Sequence, residues 1–102
     1  MEVVVKIPAP LRRLTDGERE FRTEAGTVAE CLERLSQTYP GMKDRLCEED
    51  GSVRRFINIY VRGEDIRFGN GLETALRDGD DVSIVPAASG GQNPEPRYQN
   101  PE

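Results

Sequence analysis

One helix-length stripe constrains this chain more than any other feature. Between Gly26 and Tyr39 the apolar residues Val28, Cys31, Leu32 and Leu35 recur at helical spacing, while Glu30, Glu33, Arg34 and Gln37 fall on the other side. Thr27 stands where an N-cap belongs, with Glu30 three residues later. That is the spacing of a capping box: the hydroxyl accepts from the Glu30 amide and the carboxylate reaches back to the Thr27 amide. Tyr39-Pro40-Gly41 stops the pattern. A lone amphipathic helix must bury its apolar side against something, and the rest of the sequence offers strands.

Those strands read from alternation. Residues 1–7 set Val3, Val5 and Ile7 against Glu2, Val4 and Lys6, and Pro8 and Pro10 end the run. Residues 9–16 read as a loop anchored by Leu11 and Leu14, with Asp16-Gly17 as a turn, and Glu18 to Thr23 as a second, polar strand centred on Phe21. Met42 to Leu46 fits a further short turn of helix. Arg55 to Val61 is the strongest strand, with Ile57, Ile59 and Val61 on one face and Phe56, Asn58 and Tyr60 on the other. After the Arg62-Gly63 turn, Ile66-Arg67-Phe68 reads as a short strand and Leu72 with Leu76 as a packed helical turn. Val82 to Pro86 closes the set, Val82 and Ile84 alternating with Ser83 and Val85. The order β-β-α-β-β-β, with one long helix after a hairpin, specifies an α+β domain with a mixed sheet and the helix on one face: the β-grasp of ubiquitin.

Composition excludes much chemistry. The 102 residues contain no histidine, so a Ser-His-Asp triad and any histidine-containing zinc site are ruled out. Cys31 and Cys47 do not form a C-x-x-C pair; Cys31 lies on the helix stripe and reads as a small core residue. The net charge of −5 is spread over alternating signs with no basic stripe, which argues against nucleic acid as a partner. Apolar runs are strand-sized, so no membrane span is expected, and with no apolar leader visible the expectation is a cytoplasmic protein. Asp78-Gly79-Asp80-Asp81 lacks the ligand ladder of a calcium loop and reads as a turn. Gly69-Asn70-Gly71 lacks the third glycine and long helix of a dinucleotide loop.

Past Pro86 the character changes. Ala87-Ala88-Ser89-Gly90-Gly91 is a strip nearly bare of side chains, and Gln92 to Glu102 is polar and proline-rich. Paired glycines present backbone alone, which a narrow enzyme channel can accept; a plain linker would have the same composition. The helix covers one sheet face, so Phe56, Tyr60 and Val85 are left on the other near the root of this strip, rimmed by Asn58, Ser83 and Arg62. Such a patch reads as a docking surface, with local packing under a loop as the alternative.

Three stretches in this order resemble the ubiquitin-like sulfur-carrier family: Thr27-Val28-Ala29-Glu30 through Tyr39-Pro40-Gly41, Phe56 through Arg67, and Leu72 through Gly91. The family includes the small subunit of molybdopterin synthase and the sulfur carriers of thiamine and cysteine biosynthesis, the last being most similar in pattern. The resemblance implies a β-grasp domain over residues 1–86, a Gly-Gly tail over 87–91, and an extension over 92–102 removed on maturation. It implies a non-enzymatic carrier that binds no cofactor. A JAMM-type zinc metalloprotease would cut between Gly91 and Gln92. A ubiquitin-activator-like enzyme would use ATP to adenylate Gly91, with Gly90 beside it in the channel. The resulting thiocarboxylate would give its sulfur to an acceptor enzyme of cysteine, thiamine, molybdopterin or tRNA-thiolation type. The same resemblance leaves open a protein modifier joined through Gly91 to target lysines, or a small subunit whose tail sits in a larger partner.

Overall fold

The computed structural model describes residues 1–86. Strand β1 (Glu2–Lys6) pairs antiparallel with β2 (Glu20–Glu24), forming the expected opening hairpin with a long connection. Helix α1 (Val28–Thr38) and the short α2 (Gly41–Leu46) follow. Strand β3 (Ile57–Val61) turns into the two-residue β4 (Glu64–Asp65), and β5 (Asp81–Pro86) comes last. The sheet runs β2-β1-β5-β3-β4, with β5 parallel to β1 and antiparallel to β3. The last strand therefore lies at the centre of a mixed sheet, which is the β-grasp arrangement.

The capping box forms with one change of partner. Thr27 Oγ1 accepts from the Glu30 amide at 3.2 Å, but the Glu30 carboxylate takes the Gly26 amide at 2.7 Å rather than that of Thr27. Val28, Cys31, Leu32 and Leu35 are all buried, facing Val3, Val5, Ile57, Ile59, Val61, Val82 and Ile84 from the sheet. The backbone of the 74–76 segment is laced to the helix start, Val28 N donating to Thr74 O at 3.1 Å and Leu76 N to Gly26 O at 2.9 Å.

Three segments differ from their sequence reading. Leu72 and Leu76 do not share a helical turn: a 3₁₀ turn covers Gly71–Glu73, and Ala75 bridges Thr27 at the helix start. Residues 9–15 are a 3₁₀ helix instead of a loop, entered through Pro8, with Leu11 buried and Leu14 packed beside the core. Its end is held by buried Thr15, whose hydroxyl bridges Arg12 O and Glu18 O. Ile66–Phe68 is likewise a 3₁₀ turn rather than a strand, because the Asp65 carboxylate accepts the Arg67 amide at 2.9 Å and curls the chain out of the sheet. Short runs of this length follow their capping contacts more than their alternation. No helix among the described residues is long and apolar enough to cross a membrane.

Candidate docking site at the exit of the last strand

The uncovered sheet face divides into two halves. On β1 and β2 it is charged: Lys6 pairs with Glu20 at 2.8 Å, and Arg22 lies 3.5 Å from the same carboxylate. That contact holds Glu20 below the usual carboxylate range and raises Lys6. On β3 and β5 the face carries no ion pair among the described residues. Val85 sits directly across from Asn58, and Ser83 across from Tyr60. Val85 is 42% exposed, while Asn58 and Tyr60 are half-buried. Side chains directly opposite on paired strands lie about 5 Å apart, so these form one continuous surface.

Phe56 belongs to the same end. It lies just before β3, is 59% exposed, and has the Arg55 guanidinium 5.0 Å from its ring centroid. Ile57 pairs with Pro86, so Phe56 adjoins the point where β5 ends. Arg62 is placed elsewhere. It occupies the hairpin turn between β3 and β4 at φ 53, with Gly63 at φ 82, the left-handed pair that a two-residue hairpin needs. Its guanidinium binds the Asp80 carboxylate and lies 3.4 Å from Ala75 O. At about 3.3 Å per residue, the length of β3 separates it from the strand exit.

Arg67 was singled out by no local signal, yet it organises the site. Its Nη1 donates to Asn58 Oδ1 at 2.5 Å. Its Nη2 reaches the carbonyls of Arg54, Arg55 and Ile57 at 2.8, 3.1 and 2.6 Å. One guanidinium thereby gathers the carbonyls of the turn that presents Phe56. The neighbouring Phe68 is 91% exposed.

The described side chains supply little reactive chemistry. Burial pushes the Cys31 thiol up to about 12 and raises Cys47 as well, so neither is a ready thiolate. Asp78 and Asp80 are spent on the turn, accepting from the Glu2 and Arg77 amides at 2.7 and 2.8 Å. No group of three or more metal-ligating side chains occurs among the described residues. Gly90, Gly91 and Gln92, the expected reactive and cleavage positions, lie outside the described residues.

The ThiS family model matches residues 5–91. The sulfur carrier protein CysO of Mycobacterium tuberculosis is 42% identical over 93 residues, an alignment spanning 89% of this chain and the whole of the relative. A chain in the crystal structure of the Amycolatopsis orientalis BexX/CysO complex superposes with a TM-score of 0.81 at 43% identity, covering 87% of this chain and 99% of that one. Small archaeal modifier protein 1 of Methanosarcina acetivorans gives a TM-score of 0.78 at 36% identity, covering 88% of this chain and 96% of its own.

Proposed function

The chain belongs to the ThiS family, and from that premise we propose that it is a sulfur carrier whose reactive group is the carboxylate of Gly91. The family match carries this reading, because it runs through the sheet and ends at Gly91, leaving residues 92–102 beyond it. Alignment with the mycobacterial carrier points the same way, taking in all of the relative but 89% of this chain.

The chemistry proceeds in three steps. Hydrolysis of the Gly91–Gln92 peptide bond by a zinc metalloprotease frees the carboxylate. A carboxylate oxygen then attacks the α-phosphorus of ATP on an adenylating enzyme, and pyrophosphate leaves. A sulfide-level sulfur nucleophile adds to the acyl carbon and expels AMP, giving a thiocarboxylate. Adenylation is needed because a carboxylate is a poor electrophile, whereas AMP is a good leaving group. The acyl-held sulfur passes to an acceptor enzyme, with delivery into cysteine synthesis favoured by the resemblance of the sequence pattern to the carrier of that route. Phe56, Asn58, Tyr60 and Val85 form the surface that docks these partners, while Arg62 holds the far turn. The BexX/CysO complex of a relative supports docking of this kind of chain on a partner protein.

A second reading has an observation of its own. Likeness to the archaeal modifier protein supports conjugation of Gly91 to target lysines. Intact mass of the chain recovered from its source cell separates the two. Sulfur replacing oxygen at a terminal Gly91 supports the carrier, and a ladder of thiol-resistant conjugates supports the modifier. Recovery of a working form that still ends at Glu102 would reject both.

A further inference from the structure

A second feature lies beside the apolar face, at the same exit. Arg45, Arg54, Arg55, Phe56 and Pro86 line a shallow cleft with a single carboxylate, Glu48, in its wall. Glu48 is spent on Arg54, at 3.1 Å, and Arg54 is further anchored through Nε to Asp44 O at 2.8 Å. Arg45 and Arg55 take part in no ion pair among the described residues. The cleft is thus locally positive on a chain whose net charge is −5. Its shape is set in advance, because Arg67 pins the backbone of Arg54, Arg55 and Ile57.

We propose that this cleft docks a carboxylate-bearing surface around the channel mouth of the adenylating partner. The inference rests on the reading given under Proposed function and adds the chemistry of the partner's face. A body of net charge −5 is repelled by a channel mouth that holds ATP unless its leading end has the opposite sign. Two guanidinium groups beside Pro86, without an ion pair among the described residues, provide that end and orient the chain with its Pro86 end leading. Arginine suits the task, since its planar fork meets a carboxylate through two parallel hydrogen bonds. The exposed Phe56 ring under Arg55 adds an apolar anchor at the centre.

The test is ATP–pyrophosphate exchange by the adenylating enzyme of the same genome, with the chain ending at Gly91 as substrate. Every strand and helix described lies within residues 1–86, so this form removes no element of the fold. Rim charges act on encounter and on salt dependence, so the double variant Arg45→Glu/Arg55→Glu should raise KM about tenfold with kcat kept. It should also flatten the dependence of KM on NaCl, while Arg45→Lys/Arg55→Lys stays near wild type. Matched thermal midpoints certify the fold, and Arg45→Ala/Arg55→Ala replaces the reversal if that variant unfolds. Wild type turning over with the reversal variant equal to it in KM and salt response overturns the docking inference alone. Lost affinity for an RNA oligomer with KM unchanged also overturns it, by making the cleft a nucleic-acid site. No exchange even with wild type removes the carrier reading and this inference together.

Discussion

Ile57 and Pro86 are partners in the antiparallel ladder between β3 and β5. This one pairing brings the start of the strongest strand to the end of the last one. The turn carrying Phe56, gathered by Arg67, therefore borders the exit of β5, and the uncovered face of Asn58, Tyr60 and Val85 begins beside it.

Val85→Asp should separate docking from folding. Val85 is partly exposed on the uncovered face, so the carboxylate stays hydrated and stability should change by only about 0.5 kcal/mol. Thiocarboxylate formation on Gly91 should fall severalfold. Intact mass and a thermal melt read the two effects; unchanged loading would remove the face from the docking site.

Core truncation should do the reverse. Leu35 is fully buried on α1 against the sheet, and Leu35→Ala should cost about 2–5 kcal/mol. Urea unfolding should register this as a lower midpoint with a preserved slope. A loss below that range would mean that the helix does not seal the core.

At the helix start, Thr27→Ala should cost about 1 kcal/mol, since the Glu30 amide loses its acceptor. Glu30 adds a pH signature. The Gly26 amide, followed by Arg34, holds its carboxyl below the ordinary value of 4.5. A folded pKa lower than the unfolded one means stabilisation that is fully present above the unfolded value and lost as pH falls through the folded one. Wild type should therefore exceed Glu30→Gln in stability at neutral pH, and the gap should close on acidification below 4.5. Paired urea titrations at the two pH values check the sign.

Thiol chemistry should be silent in the native state. With Cys31 pushed up to about 12 and Cys47 also raised by burial, iodoacetamide at mildly alkaline pH should leave Cys31 unmodified and label Cys47 more slowly than a free thiol. Both should react in urea. Rapid native labelling of Cys31, read by peptide mass spectrometry, would contradict its burial.

Arg67→Met keeps much of the stem but removes the donors from the carbonyls of Arg54, Arg55 and Ile57. The expected loss is about 1–3 kcal/mol. Amide exchange at Ile57 should accelerate more than at Val3, far across the sheet. Uniform acceleration would indicate global destabilisation rather than release of one turn.

The α1 stripe, its Thr27 cap, the faces of β3 and β5, and the Arg62-Gly63 turn were legible in the chain. Each is a short-range pattern whose side-chain period or left-handed backbone need is fixed within a few residues. Alternation missed the short pieces: residues 9–15 and Ile66–Phe68 are 3₁₀ turns set by Thr15 and Asp65 bonding to backbone close by in the chain, a local contact that side-chain period does not report. Only the tertiary structure set the side-chain partners of Arg62 and Arg67, because Asp80 is eighteen residues from the first and Arg54 thirteen from the second. A guanidinium chooses its acceptors by distance in space, and only the closed sheet sets that distance.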